Sequence, residues 1–119
     1  MTIATLSRAE AIARLNDRAR LGYDRSARVV ITRTCLETFC SGDTASQILG
    51  QAALLQVMRK HEFVNDAHGE RDFGEFQFRG RRVWFKIDYF DLDLAYGSDD
   101  PTNASKTRRV ITIMFPEDY

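Results

Sequence analysis

Apolar residues recur along the chain in two rhythms, helical in the first half and alternating in the second. Ile12, Leu15 and Ala19 fall on one helical face with Ala11 beside them, and arginines fill the opposite face. Ser7 followed by Glu10 predicts a capping box at the start of this helix, and Gly22 its stop. Residues 28–33 read RVVITR, short and β-branched, and predict a strand. Residues 34–42 carry no clear period. Thr44 with Gln47 offers a second capping box, and Ile48, Leu49, Ala52, Leu55 and Met58 form a stripe at helical spacing. This predicts the firmest helix of the chain, ending near His61, with Phe63 closing the core beneath it.

After a DAHG turn at 66–69 the period changes to two. Residues 73–78 and 82–90 predict a hairpin with Gly80 at its tip. Phe76 and Phe78 share a face on the first strand, and Val83, Phe85, Ile87 and Tyr89 share one on the second. Trp84, Lys86, Asp88 and Phe90 then point the other way, onto a mixed and half-exposed surface. Residues 109–115 (RVITIMF) predict an inner strand beside the hairpin's second strand, ended by Pro116. Between them lies a long connection, 91–107. Leu92, Leu94 and Tyr96 offer apolar anchors that favour an ordered surface loop. The expectation is an α+β fold: a mostly antiparallel sheet of about four strands with two helices packed on one face.

Composition adds bounds. The 119 residues suit one domain, 1–119, and a hydrophobic fraction of 44% with 29% charged residues is that of a folded chain. Zero formal net charge argues against bulk binding to phosphate backbones. No apolar run approaches the roughly 18 residues a membrane span needs, and no basic-then-apolar leader opens the chain. The expected location is the cytoplasm. Cys35 and Cys40 lack the spacing of a redox or zinc pair and are expected as free thiols. The Asn103-Ala104-Ser105 triplet carries no meaning without a secretory signal.

Several segments together resemble a known family: Gly69-Glu70, Asp72-Phe73-Gly74, residues 84–89 (WFKIDY), residues 96–101 (YGSDDP) and Arg108-Arg109-Val110. They are similar to the bacterial, mostly alphaproteobacterial family known as domain of unknown function thirty-seven sixty-eight. The likeness extends more weakly to residues 12–17 and 28–32, and so covers most of the chain. In that family the turn before the hairpin usually reads asparagine-aspartate-proline-tyrosine-glycine-glutamate-histidine-aspartate. Ala67, His68 and Arg71 depart from it here, so a mechanism resting on a histidine at the Arg71 position has no support in this chain. The resemblance implies a bacterial cytoplasmic protein, often encoded near plasmid or mobile-element genes. It supplies no catalytic residue and implies no cofactor.

The candidate chemistry concentrates where the hairpin ends. Asp88, Asp91, Asp93, Asp99 and Asp100 follow one another with no cation among them after Lys86, flanked by Trp84, Tyr89 and Tyr96. The leading expectation is a non-catalytic binding or regulatory protein that offers these residues to a protein partner, with imitation of nucleic-acid phosphates as a refinement. A first alternative is a divalent-cation-dependent enzyme holding its ion with Asp88, Asp91 and Asp93, since hard cations take several oxygen ligands. The spacing is not that of an EF-hand, because Ala95 and Tyr96 stand where a ligand and a glycine are required. A second alternative is nucleic-acid binding through Arg79, Arg81 and Arg82 at the hairpin tip, with Trp84 and Phe85 to stack on bases. His61, His68, Glu70 and Asp72 offer acid–base groups, for which a solvated turn is the plainer account. The basic face of the first helix offers a last contact, with an acidic partner or with the aspartates of a second copy in a homodimer.

Overall fold

A strand near the end of the chain organises the sheet. The computed structural model describes residues 6–119. In chain order its elements are α1 (Arg8–Arg20), β1 (Arg28–Ile31), α2 (Arg33–Phe39), α3 (Thr44–Arg59), β2 (Phe73–Phe78), β3 (Arg81–Phe90) and β4 (Arg108–Met114), closed by a 3-10 turn at Pro116–Asp118. The sheet order is β1-β4-β3-β2. β4 pairs antiparallel with β3, from Trp84↔Met114 to Phe90↔Arg108, and parallel with β1. The fold is α+β with a mostly antiparallel sheet.

The hairpin turns through Arg79 and Gly80, whose φ values of 49° and 78° give the local twist that matches paired strands. Its strands alternate as their sequence requires. Phe76, Phe78, Val83, Phe85 and Ile87 enter the core with Ile111, Ile113 and Phe115, while Glu75, Gln77 and Arg82 stay exposed. Helices cover this face alone: Ala19 of α1, Cys35 and Phe39 of α2, and Leu54 and Met58 of α3 join the same apolar cluster. Each large side chain buried there contributes about 1.5–3 kcal/mol. Cys35 and Cys40 are free and buried, and burial pushes both thiols up from their ordinary range.

Three local expectations need correction. The expected strand 28–33 ends at Ile31, and Arg33 with residues 34–39 of the stretch that showed no period forms α2, a short helix held by burial of Cys35 and Phe39 more than by any cap. α3 begins one residue earlier than its sequence suggests. Asp43 is the N-cap, accepting from Ser46 N, while Gln47 Nε2 donates to Gly42 O. The buried face of α3 is Gly50, Leu54 and Met58, so Ile48 and Leu49 of the expected stripe are 62% and 69% exposed. Gly50 explains the rotation. A side chain there would run into the Phe39 carbonyl, so α2 and α3 touch backbone to backbone at that point.

Candidate functional site

β3 carries the candidate residues past the end of its pairing with β2. Beyond Phe90 the chain reverses through residues 91–96 and returns at Gly97, which bridges to Phe90. The turn is closed from within. Asp91 N donates to Tyr96 O at 2.8 Å, Leu94 N to Asp91 O at 3.1 Å, and Ala95 N to Asp91 Oδ1 at 3.0 Å. Ser98 N then donates to Tyr89 O at 2.9 Å. Leu94 adopts a φ of 59°, a conformation that costs a leucine energy and persists because the surrounding bonds fix it. The side chains left outside are Leu92, 54% exposed, Tyr96, 77% exposed, and the exposed Asp93. Of the expected anchors only Leu94 is half-buried.

Residues 98–107 form the base of this turn. Ser98 and Thr107 share a hydroxyl hydrogen bond of 2.7 Å, Thr107 Oγ1 donates to Asp100 O, and Arg109 Nη2 donates to Pro101 O at 2.6 Å. The long connection is therefore ordered, as its composition led us to expect. Asp100 accepts from Thr102 N and Oγ1, which holds its carboxyl below the usual carboxylate range, and it lies 3.7 Å from Arg8.

The five aspartates do not converge. Asp88 pairs with Lys86 at 2.7 Å, Asp91 closes its own turn, and Asp100 serves Thr102. Asp93 and Asp99 are exposed and, among the described residues, form no ion pair or side-chain hydrogen bond. The alternative ion site at Asp88, Asp91 and Asp93 is not assembled: among the described residues no three His, Cys, Asp or Glu side chains gather closely enough to hold a metal. Tyr89 and Trp84 also stand apart from the turn. Tyr89 points into the core, where burial raises its phenol above the ordinary value. Trp84 lies on the open face of the sheet, donating from Nε1 to Glu75 and packing edge-on against Phe73 and Tyr119.

The hairpin arginines are likewise in use. Arg79 donates to Phe39 O and lies over the Phe78 ring, and Arg81 lies 4.2 Å from the Phe115 ring centroid and 4.0 Å from Glu117. Arg82 meets Glu75 at 3.4 Å. They brace the sheet's end against α2 and the C-terminal turn. Phe85 is fully buried and offers no base a stacking surface.

What the sequence concealed is a polar latch beneath α1. Asn16 donates from Nδ2 to Tyr89 Oη at 2.8 Å and to Glu70 O at 2.9 Å, and accepts from Arg109 Nε at 2.7 Å. Tyr89 Oη donates to Glu70 Oε1 at 2.8 Å. Arg71 adopts a φ of 52° and grips Asp17 through Nε and Nη2 while reaching Glu10. Its role here is to fasten the 66–72 turn to α1. The one sequence signal was a lone Asn16 among the apolar positions of α1, which periodicity alone passes over.

Two adjoining clefts flank Phe73, of ≈ 430 Å³ toward His61 and Glu62 and ≈ 340 Å³ toward His68 and Asp72. Burial lowers the His61 imidazole from its ordinary value and raises the Asp72 carboxyl, helped by Glu70 and Asp66 nearby. Of the acid–base alternative at His61, His68, Glu70 and Asp72, Glu70 is spent in the latch, accepting from Tyr89 Oη. Among the described residues no helix is long and apolar enough to cross a membrane.

A family model described as "Protein of unknown function (DUF3768)" matches residues 41–118, which spans α3, the hairpin, the 91–107 connection and β4. No curated protein and no solved structure matches.

Proposed function

The chain belongs to the DUF3768 family of proteins of unknown function, and we propose that it is a small non-catalytic binding or regulatory protein that presents the 91–96 turn to a protein partner. One observation carries this reading. Asp91 commits both its amide and its carboxylate to closing the turn, which leaves Leu92, Asp93 and Tyr96 outward on a backbone already fixed. A preformed turn loses little conformational freedom on binding. Tyrosine is the kind of residue that dominates contact energy once a partner desolvates it. Asp93 and Asp99, both exposed, supply charge that selects a basic surround. Imitation of a phosphate row is not part of the proposal, since two free carboxylates make a poor row. The setting proposed is the bacterial cytoplasm, on the strength of the family likeness.

A photo-crosslinking amino acid placed at Leu92, expressed in the native host, tests the reading. A defined adduct from position 92, absent from the same probe at the exposed Glu37 on α2, is the expected result. Identical adducts from both positions would remove its basis.

A further inference from the structure

β2 lies at one margin of the sheet. Ile87 N donates to Asp72 O at 2.7 Å, which fixes the alternation of the antiparallel ladder. The bonded pairs are Gly74/Phe85, Phe76/Val83 and Phe78/Arg81, so the N–H and C=O groups of Phe73, Glu75 and Gln77 point away from the sheet. Natural edges are usually guarded by lysine, proline or a bulge. β2 (FGEFQF) contains no lysine and no proline, and its register with β3 is unbroken. β1, at the other margin, is four residues long and opens on the exposed Arg28.

The ≈ 430 Å³ cleft runs beside this edge. Its walls are residues 61–65 and residues 73–75, which include side chains from both faces of the sheet, so the opening straddles the margin. Its rim is acidic: Glu62 and Glu75 here, Asp66 and Asp72 in the adjoining cleft, with no lysine or arginine lining either. Asp66 and Glu75 are taken up by Arg71 N and by Arg82 and Trp84, whereas Glu62 and Asp72 make no side-chain hydrogen bond or ion pair among the described residues. Two copies paired through β2 would bring these carboxylates together, and like charges across an interface disfavour it.

We propose that β2 captures a basic, extended peptide segment as a fifth strand, its main chain meeting the outward groups of Phe73, Glu75 and Gln77 and its cations meeting Glu62 and Asp72. Strand addition of this kind takes affinity from the main chain and selectivity from alternate side chains. The site is separate from the 91–96 turn and holds whether or not that turn binds a partner.

The test is a titration of the isotope-labelled full chain, read by amide NMR, with acetyl-Lys-Val-Lys-Val-Lys-Val-amide. Saturable shifts and slowed exchange at the Phe73, Glu75 and Gln77 amides are expected. The matched Glu-Val peptide should not produce them. A basic probe N-methylated at alternate residues should bind at least about tenfold more weakly, since one lost hydrogen bond alone is worth roughly that factor. Gln77→Pro removes an edge donor and leaves the β3 pairing intact, and the exposed Glu62→Lys reverses rim charge; each should weaken the basic probe. No shift at millimolar probe overturns the proposal, as do equal shifts with acidic and basic probes, or the same shifts produced by the chain's own concentration.

Discussion

Arg109 donates from Nε to Asn16 Oδ1 over 2.7 Å, and both side chains are buried, Arg109 at 1% exposure. A cation so deep requires its partners, here Asn16, the Pro101 carbonyl and the face of Tyr89. Asn16→Ala removes an acceptor from Arg109 and a donor from Tyr89 and Glu70 together. A loss of about 2–4 kcal/mol is expected, because a charged group is left short of a bond. Denaturant unfolding measures it, as a lowered midpoint with an unchanged slope.

The rotation of α3 makes a paired prediction. Ile48→Gln with Leu49→Gln should change stability by less than about 0.5 kcal/mol, since both positions are exposed. Leu54→Ala, at a fully buried position, should cost about 2–5 kcal/mol. Comparable losses from the two variants would restore the stripe read from the sequence.

Gly74 is a packing requirement of β2. A Cβ there would run into the Phe85 ring and sit 2.8 Å from His61 Nε2. Gly74→Ala should therefore destabilise by about 1–3 kcal/mol despite the better strand propensity of alanine. Thermal unfolding of the variant beside Gly97→Ala, where the nearest neighbour is 3.8 Å away, separates crowding from a general effect of the substitution.

His61 gives the pH dependence its sign. Its ring packs edge-on against Phe63 and Phe85, and burial holds its pKa below 6.5 in the folded chain. Below 6.5 the unfolded chain takes up a proton that the folded chain resists, so stability is full above 6.5 and falls as pH drops toward the lowered folded value. Asp72, raised by burial, works in the opposite sense and is common to wild type and variant. His61→Phe should gain melting temperature relative to wild type as pH falls from about 7 to about 5. A constant difference across that range would contradict the assignment.

The hairpin and β4 were legible because alternation is unambiguous when one sheet face is wet: Phe76, Phe78, Val83 and Phe85 fall where period two puts them. α3 was misread in its facing because its uncharged run offers two apolar stripes, and the choice between them rests on Gly50 meeting Phe39, a tertiary contact. The acidic segment was legible as an ordered loop, while the fate of each carboxylate was not. Asp91 turning on its own amides, and Asp88 meeting Lys86 two residues back, depend on geometry that composition does not carry. The latch was hidden for a similar reason, since Asn16 and Arg109 lie 93 positions apart.

Whether the 91–96 turn is a preformed contact surface is decided by affinity capture from the native host with the wild type and two variants. Asp91→Asn keeps the Oδ1 acceptor for Ala95 N and should keep its partner, whereas Tyr96→Ala with Asp93→Asn removes outward side chains that make no internal side-chain bond among the described residues. One protein should be retained by the wild type and by Asp91→Asn and lost from the double variant, with melting temperatures equal throughout. Retention of that protein by the double variant would contradict it.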